Sequence, residues 1–191
     1  MSAVLQQPAM SLAEFLAWEE RQETKYEFDG FGPVAMVGVT WAHSTIQRNI
    51  LLALGTRLRG QPCQPHGSDL KVEVAGRIRY PDAFVVCTPR VPSDRIITDP
   101  VVIVEILSEG SNRRDRVTKN EEYRLTPSVQ RYVMLEQDEP AATVFACQGE
   151  SWIGTLHLAG SILSMPEIGI ELPLSELYEG LDFSADSDSL P

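Results

Sequence analysis

Seven residues, Val101-Val-Ile-Val-Glu-Ile-Leu107, form a run that is apolar everywhere except at Glu105. Such a run reads as a central strand covered on both faces, so the core is expected to form around it. A lone carboxylate buried there is costly unless a cation or a proton compensates it. A second acid is similarly placed. Asp82 follows Pro81 and opens another strand-like stretch, Asp82-Ala-Phe-Val-Val-Cys87. Two acids on neighbouring core strands suggest a metal site.

The elements around these strands can be read in order. Ser11-Leu-Ala-Glu14 has the spacing of a capping box, which predicts a helix over 12–23. Tyr26-Glu-Phe28 meets the turn signal Asp29-Gly30, and Pro33 to Val39 returns as the second strand of a hairpin. Ile46, Ile50, Leu54 and Leu58 recur every four residues, with Leu51 beside them, and predict a helix over 42–59 with Gly60 past its end. Strands are expected at 69–75, 82–88 and 101–107. The proline-rich connection 89–100 lies between the last two. A helix over 113–125 ends before Pro127, and a buried strand follows at 131–135. Residues 142–147 and 151–158 suggest another hairpin, and 174–178 a short last helix. Read in order, the middle is αβββαβ, which suits an α/β protein with a mixed sheet and helices packed against it. Residues 10–180 are expected to form a single domain, with flexible tails at 1–9 and 184–191.

Composition narrows the function classes. No apolar run reaches the length of a membrane span, and the start lacks the pattern of a secretory leader, so a cytoplasmic protein is expected. Cys63, Cys87 and Cys147 form no CxxC pair. They read as buried free thiols rather than a zinc site. The formal net charge of −11 argues against a nonspecific nucleic-acid coat. The charge is uneven, however. Residues 112–131 carry six bases and three acids, and Arg113, Arg114 and Arg116 either touch phosphate or form a solvated face. No GxSxG, Walker or HExxH motif is present.

Three segments then stand together: Arg79-Tyr-Pro-Asp82-Ala-Phe-Val-Val, Pro100-Val-Val-Ile-Val-Glu105-Ile-Leu-Ser108, and Arg114-Asp-Arg-Val-Thr-Lys119-Asn-Glu-Glu-Tyr123. With Lys25-Tyr-Glu27-Phe-Asp-Gly30 and His43-Ser-Thr-Ile46, this ordered set resembles the Uma-two family, bacterial proteins of the PD-(D/E)xK, or restriction-endonuclease-like, superfamily. The resemblance implies an αβββαβ core in which Asp82 and Glu105 bind Mg²⁺ or Mn²⁺, and the oxygen-rich coordination such an ion prefers leaves room for the main-chain carbonyl of Ile106 as a further ligand. It implies hydrolysis of DNA phosphodiester bonds by a water activated at that ion, and Lys119 as the lysine of the site. The superfamily's lysine usually lies two residues after the second acid, where this chain has Leu107. Phe31-Gly32-Pro33 and Glu109-Gly110 also depart from the usual family wording.

Each site residue also has a structural reading. Glu105 can be a core carboxyl paired with a cation, Asp82 a turn cap, and Lys119 a solvated helix lysine. Glu27 can add an acid to the site or serve the hairpin alone. Tyr123 lies one turn after Lys119 and can face the same cleft. Asp69 reads as a residue of a strand-start turn and His43 as part of a helix N-terminus. Two functions remain in view. One is a metal-dependent DNA endonuclease, expected to be a homodimer because a two-fold axis presents two sites to two strands. The other is a catalytically inactive, nuclease-derived dimer that serves as an interaction or nucleic-acid-binding module.

Overall fold

The computed structural model describes residues 10–36, 38–108 and 113–183, with the backbone alone described at 113–115. In chain order the elements are α1 (Leu12–Glu19), β1 (Tyr26–Phe28), β2 (Pro33–Ala35), α2 (Trp41–Arg57), β3 (Gln64–Gly67) and β4 (Lys71–Val74). Next come β5 (Arg77–Arg79), β6 (Ala83–Val86), β7 (Ile96–Ile97), β8 (Val102–Leu107), α3 (Arg113–Leu125) and β9 (Arg131–Glu136). The chain closes with β10 (Ala142–Gln148), β11 (Ser151–His157), β12 (Ile162–Met165), β13 (Ile170–Pro173) and α4 (Leu174–Leu177).

Strand β8 is central, as its apolar run predicts. It lies within a six-stranded sheet of order β11-β10-β9-β8-β6-β3, antiparallel to β6 and parallel to β9. All six of its residues are buried. Parallel neighbours need a crossover, and α3 supplies it between β8 and β9. Side chains on a strand alternate between faces. Val102, Val104 and Ile106 join the cluster built by Ile46, Ile50, Ala53 and Leu54 of α2. Ile103 and Leu107 join the opposite cluster, with Phe84, Tyr123 and Tyr132. Glu105 shares the parity of Ile103 and Leu107, so it faces α3.

Helix α2 forms where its four-residue period predicts. Thr40 caps it, its Oγ1 accepting from the His43 N–H at 3.1 Å. In α1 the expected capping box is present. That helix stops at Glu19 rather than continuing to 23: the next turn tightens, with the Arg21 N–H on the Trp18 carbonyl and the Gln22 N–H on the Glu19 carbonyl. The Asp29-Gly30 turn also forms. Asp29 Oδ1 accepts from the N–H groups of Phe31 and Gly32. Gly30 sits at φ +94°, and a Cβ there would lie 3.3 Å from Arg77 Nε. The expected strand from Pro33 ends at Ala35, where pairing with the three-residue β1 ends. Val37 lies outside the described residues.

The mixed α/β architecture agrees with expectation, but one core strand is exchanged. The segment expected at 69–75 folds as β4 in a second, five-stranded sheet of order β2-β1-β5-β4-β7. The place beside β6 is taken by β3, whose sequence Gln64-Pro-His-Gly67 has no strand pattern of its own. The hairpin β12–β13 is also absent from the sequence reading, and its pairing partner lies only a few residues away. The expected boundaries of α3, β9, β10, β11 and α4 hold to within a residue or so.

The cysteines overturn the reading as buried free thiols. Gln64 pairs with Val86 across β3 and β6, and the next pair outward is Cys63 and Cys87. They form a disulfide with Cα atoms 3.9 Å apart, while Cys147 is an exposed thiol. The bridge closes a loop with a sequence separation of 24. A loop of that size constrains the unfolded chain by roughly 3 kcal/mol. Cys63→Ser is therefore expected to lower unfolding free energy by about that amount. Urea denaturation with and without reductant checks this, since reductant should remove the difference between the two proteins.

Candidate active site

The register of β6 and β8 creates the site. Ala83 pairs with Val104, and one step further along the ladder sets Asp82 opposite Glu105. Directly opposed like charges on a sheet are destabilising unless something compensates them. Asp82 Oδ2 accepts a 2.7 Å hydrogen bond from the Ile106 N–H. It also lies 3.3 Å from Nε2 of His43, which is buried on the first turn of α2. Gln47, one turn further along α2, donates from Nε2 to the Asp82 carbonyl at 3.0 Å.

Glu105 meets α3 because Lys119 and Tyr123 lie four residues apart on one helix face. The Tyr123 hydroxyl donates to Glu105 Oε1 at 2.6 Å, and Lys119 Nζ lies 3.5 Å from the same oxygen. Lys119 also donates to Glu27 Oε1 at 3.2 Å. Glu27 comes from the second sheet, so this lysine ties the two sheets together over the acids. Asp82, Glu105, Ile106, Lys119 and Glu27 therefore converge, and Tyr123 joins them.

Burial pushes the Glu105 carboxyl up to about 7. Lys119 and the Tyr123 hydrogen bond pull it down, while Asp82 and Glu27 push it further up. The balance decides the chemistry of the site. Lys119 is shared between Glu105 and Glu27, while Asp82 faces the His43 ring. Burial and the adjacent Glu105 raise the Tyr123 hydroxyl well above its ordinary value, so it stays a donor.

Glu27 is held from below by a residue to which the sequence gives no site role. Arg79, itself buried, donates from Nη1 to Glu27 Oε2 at 3.2 Å. It also grips Glu122 in a fork, with Nε and Nη2 at 2.7 and 2.8 Å from the two oxygens. Burial disfavours its charge, yet Glu122 and Glu27 outweigh that and raise its pKa. Arg79 stands three residues before Asp82, and Glu122 three after Lys119 on the same helix face. Neither spacing marks a buried ion pair in the sequence alone. Other candidates lie elsewhere. Asp69 is exposed and paired with Lys25, and Arg116 donates to the Ser108 carbonyl. The side chains of Arg113 and Arg114 lie outside the described residues.

The family model described as "Uma2: Putative restriction endonuclease" matches residues 12–175. The chain belongs to the Uma2 family. Among curated relatives, the Synechocystis protein slr1290, described as uncharacterized, is 31% identical over 180 residues, covering 92% of this chain and 95% of the relative. A second Synechocystis protein, sll1609, is 26% identical over 142 residues, covering 72% of this chain and 80% of that one. Among solved structures, this Uma2 chain is similar to a crystal structure from Anabaena variabilis ATCC 29413 described as a putative nuclease belonging to DUF820. The TM-score is 0.74 at 19% identity, covering 88% of this chain and 97% of that one. The Uma2 chain therefore shares a nuclease-like fold with that protein. Among the described residues, no helix of this Uma2 protein is long and apolar enough to cross a membrane.

Proposed function

We propose that this Uma2 protein is a metal-dependent endonuclease that hydrolyses DNA phosphodiester bonds at the cleft of Asp82, Glu105 and Lys119. The observation that carries the reading is the placement of Asp82 opposite Glu105 across β6 and β8, with Lys119 Nζ 3.5 Å from Glu105. A divalent cation would offset the repulsion between the two acids, and oxygen donors of this kind fit Mg²⁺ or Mn²⁺. Asp82 Oδ1 and Glu105 Oε2 have no protein donor among the described residues, and the Ile106 carbonyl belongs to the residue whose N–H holds Asp82. Among the described residues, no group of three or more His, Cys, Asp or Glu side chains is placed to hold a metal. Mg²⁺ needs only one or two carboxylates and keeps several waters, so Asp82 and Glu105 would be enough to seat it.

Asp82, Glu105 and the Ile106 carbonyl would hold the cation. When bound, it supplies Lewis acidity towards a phosphate oxygen and lowers the pKa of water. The chain's own residues do the rest. Tyr123 holds Glu105 Oε1 and turns the other oxygen free. Lys119 orients the attacking water and offsets negative charge that grows on the phosphate. Glu27 aims Lys119 into the cleft through their 3.2 Å contact, and Arg79 holds Glu27 from the other side. Cutting both strands of a duplex takes two such centres, and a two-fold homodimer is the assembly that goes with this reading.

Two substitutions separate these roles. Asp82→Asn is expected to weaken Mn²⁺ binding and cleavage together. Lys119→Met is expected to leave Mn²⁺ binding undiminished, since one competing positive charge is gone, while kcat falls by about 10²–10³. Calorimetric Mn²⁺ titration alongside cleavage of supercoiled plasmid reads both. Wild-type cleavage by Asp82→Asn would sink the assignment.

A further inference from the structure

We propose that His43 is a positioning residue for Asp82, fixing through Nε2 the carboxylate that would hold the cation. The inference rests on the metal-centre reading above. Three observations converge on it. His43 is 6% exposed, on the first turn of α2, with Nε2 3.3 Å from Asp82 Oδ2. The same Oδ2 already takes the Ile106 N–H at 2.7 Å. The Ile106 N–H and the His43 ring nitrogen, from different elements, thus both face one oxygen and leave Oδ1 for a ligand. Finally, Nδ1 of His43 is buried with no hydrogen-bond partner among the described residues.

A histidine kept for packing alone would be a poor choice here. An unpartnered buried ring nitrogen costs free energy that an apolar side chain of similar size avoids. What an imidazole adds is an N–H at Nε2 on a short, stiff side chain. Helix α2 in fact grips Asp82 twice, since Gln47 holds its backbone carbonyl from the next turn. Metal-ligating carboxylates are commonly hydrogen-bonded in this way, and losing such a support typically costs about 10–100-fold in metal affinity or activity. Here the support comes from α2, on the face of the sheet opposite α3 and its lysine.

The test uses Mn²⁺ alone as the probe, on the full chain. Glutamine places its amide nitrogen near the position of Nε2, whereas asparagine places it near Nδ1. Mn²⁺ affinity is expected to fall about tenfold or more in His43→Asn and to stay close to wild type in His43→Gln. Metal-free melting temperatures are recorded for both. Equal, wild-type affinity in both variants would overturn the positioning role while leaving the metal centre standing. No Mn²⁺ binding by the wild type would overturn both. Should His43→Asn not fold, nitrogen-15 imidazole spectra of the wild-type protein decide instead. A proton on Nε2 is expected, and a bare Nε2 would overturn the proposal.

Discussion

Glu105→Gln is expected to abolish metal-dependent cleavage and, without metal, to leave the fold at least as stable as the wild type above neutral pH. The two effects share one cause. In the fold this carboxyl titrates at about 7, against an ordinary value of 4.5. Below the ordinary value it is protonated in both folded and unfolded chains and costs nothing. Above about 7 it is ionised in both, and the fold bears the whole cost, roughly 3 kcal/mol at about 1.4 kcal/mol per tenfold. Glutamine avoids that cost but leaves Lys119 with Glu27 alone, so the net gain is smaller. Relative to the variant, the metal-free wild type therefore loses stability as pH rises from about 4.5 to 7. Urea unfolding of both proteins in EDTA at pH 5 and pH 8 reads this directly. A stability gap that does not change with pH, or a variant less stable at pH 8, would contradict the account. Saturating Mg²⁺ should reverse the order, because a ligand at 100 times its Kd adds about 2.7 kcal/mol to the wild type only.

Arg79→Met is expected to be the most destabilising single substitution near the site. The guanidinium is 3% exposed and is shared between Glu122 and Glu27. Removing one partner of a buried ion pair leaves charge that nothing compensates, at a cost of about 3–5 kcal/mol. For a chain of this size that corresponds to a fall in melting temperature of roughly 10 °C. Arg77, 3.0 Å from Glu122, limits the damage on that side but does not reach Glu27 in the contacts described. The loss should also spread to chemistry, because an unpaired Glu27 competes with Glu105 for Lys119. The double change Arg79→Met with Glu122→Leu should recover part of the stability, since replacing a whole buried pair by apolar groups is often neutral. Thermal unfolding of the single and double variants checks this. A single variant within about 1 kcal/mol of wild type would show that the network contributes little.

The residues that sequence reading located were those whose character clashes with their surroundings. Glu105 inside an apolar run and Asp82 at the mouth of another stand out as charges that need company, and the structure sets them opposite one another. Helix α2 and strand β8 were legible because their periods persist over several turns or residues. Arg79 and Glu122 were not legible. A charge within a polar window looks solvated until tertiary packing buries it, and here the second sheet does so. His43 reads from sequence as a helix-start residue, and only the approach of α2 to Asp82 gives it a second reading. The Cys63–Cys87 bridge depends on the pairing of β3 with β6, and nothing in Gln64-Pro-His-Gly67 announces a strand. The place of Lys119 in the site came from resemblance. The structure sets Lys119 Nζ 3.5 Å from Glu105, while Leu107, at the superfamily lysine's usual position, is buried in the core.

Cleavage of supercoiled plasmid by the wild-type protein with Mg²⁺ or Mn²⁺, with and without EDTA and beside Glu105→Gln, reads the hydrolysis itself. Nicking that needs both the metal and Glu105 is expected. No nicking by the wild type with either ion, or nicking that survives EDTA or the substitution, would contradict the endonuclease reading.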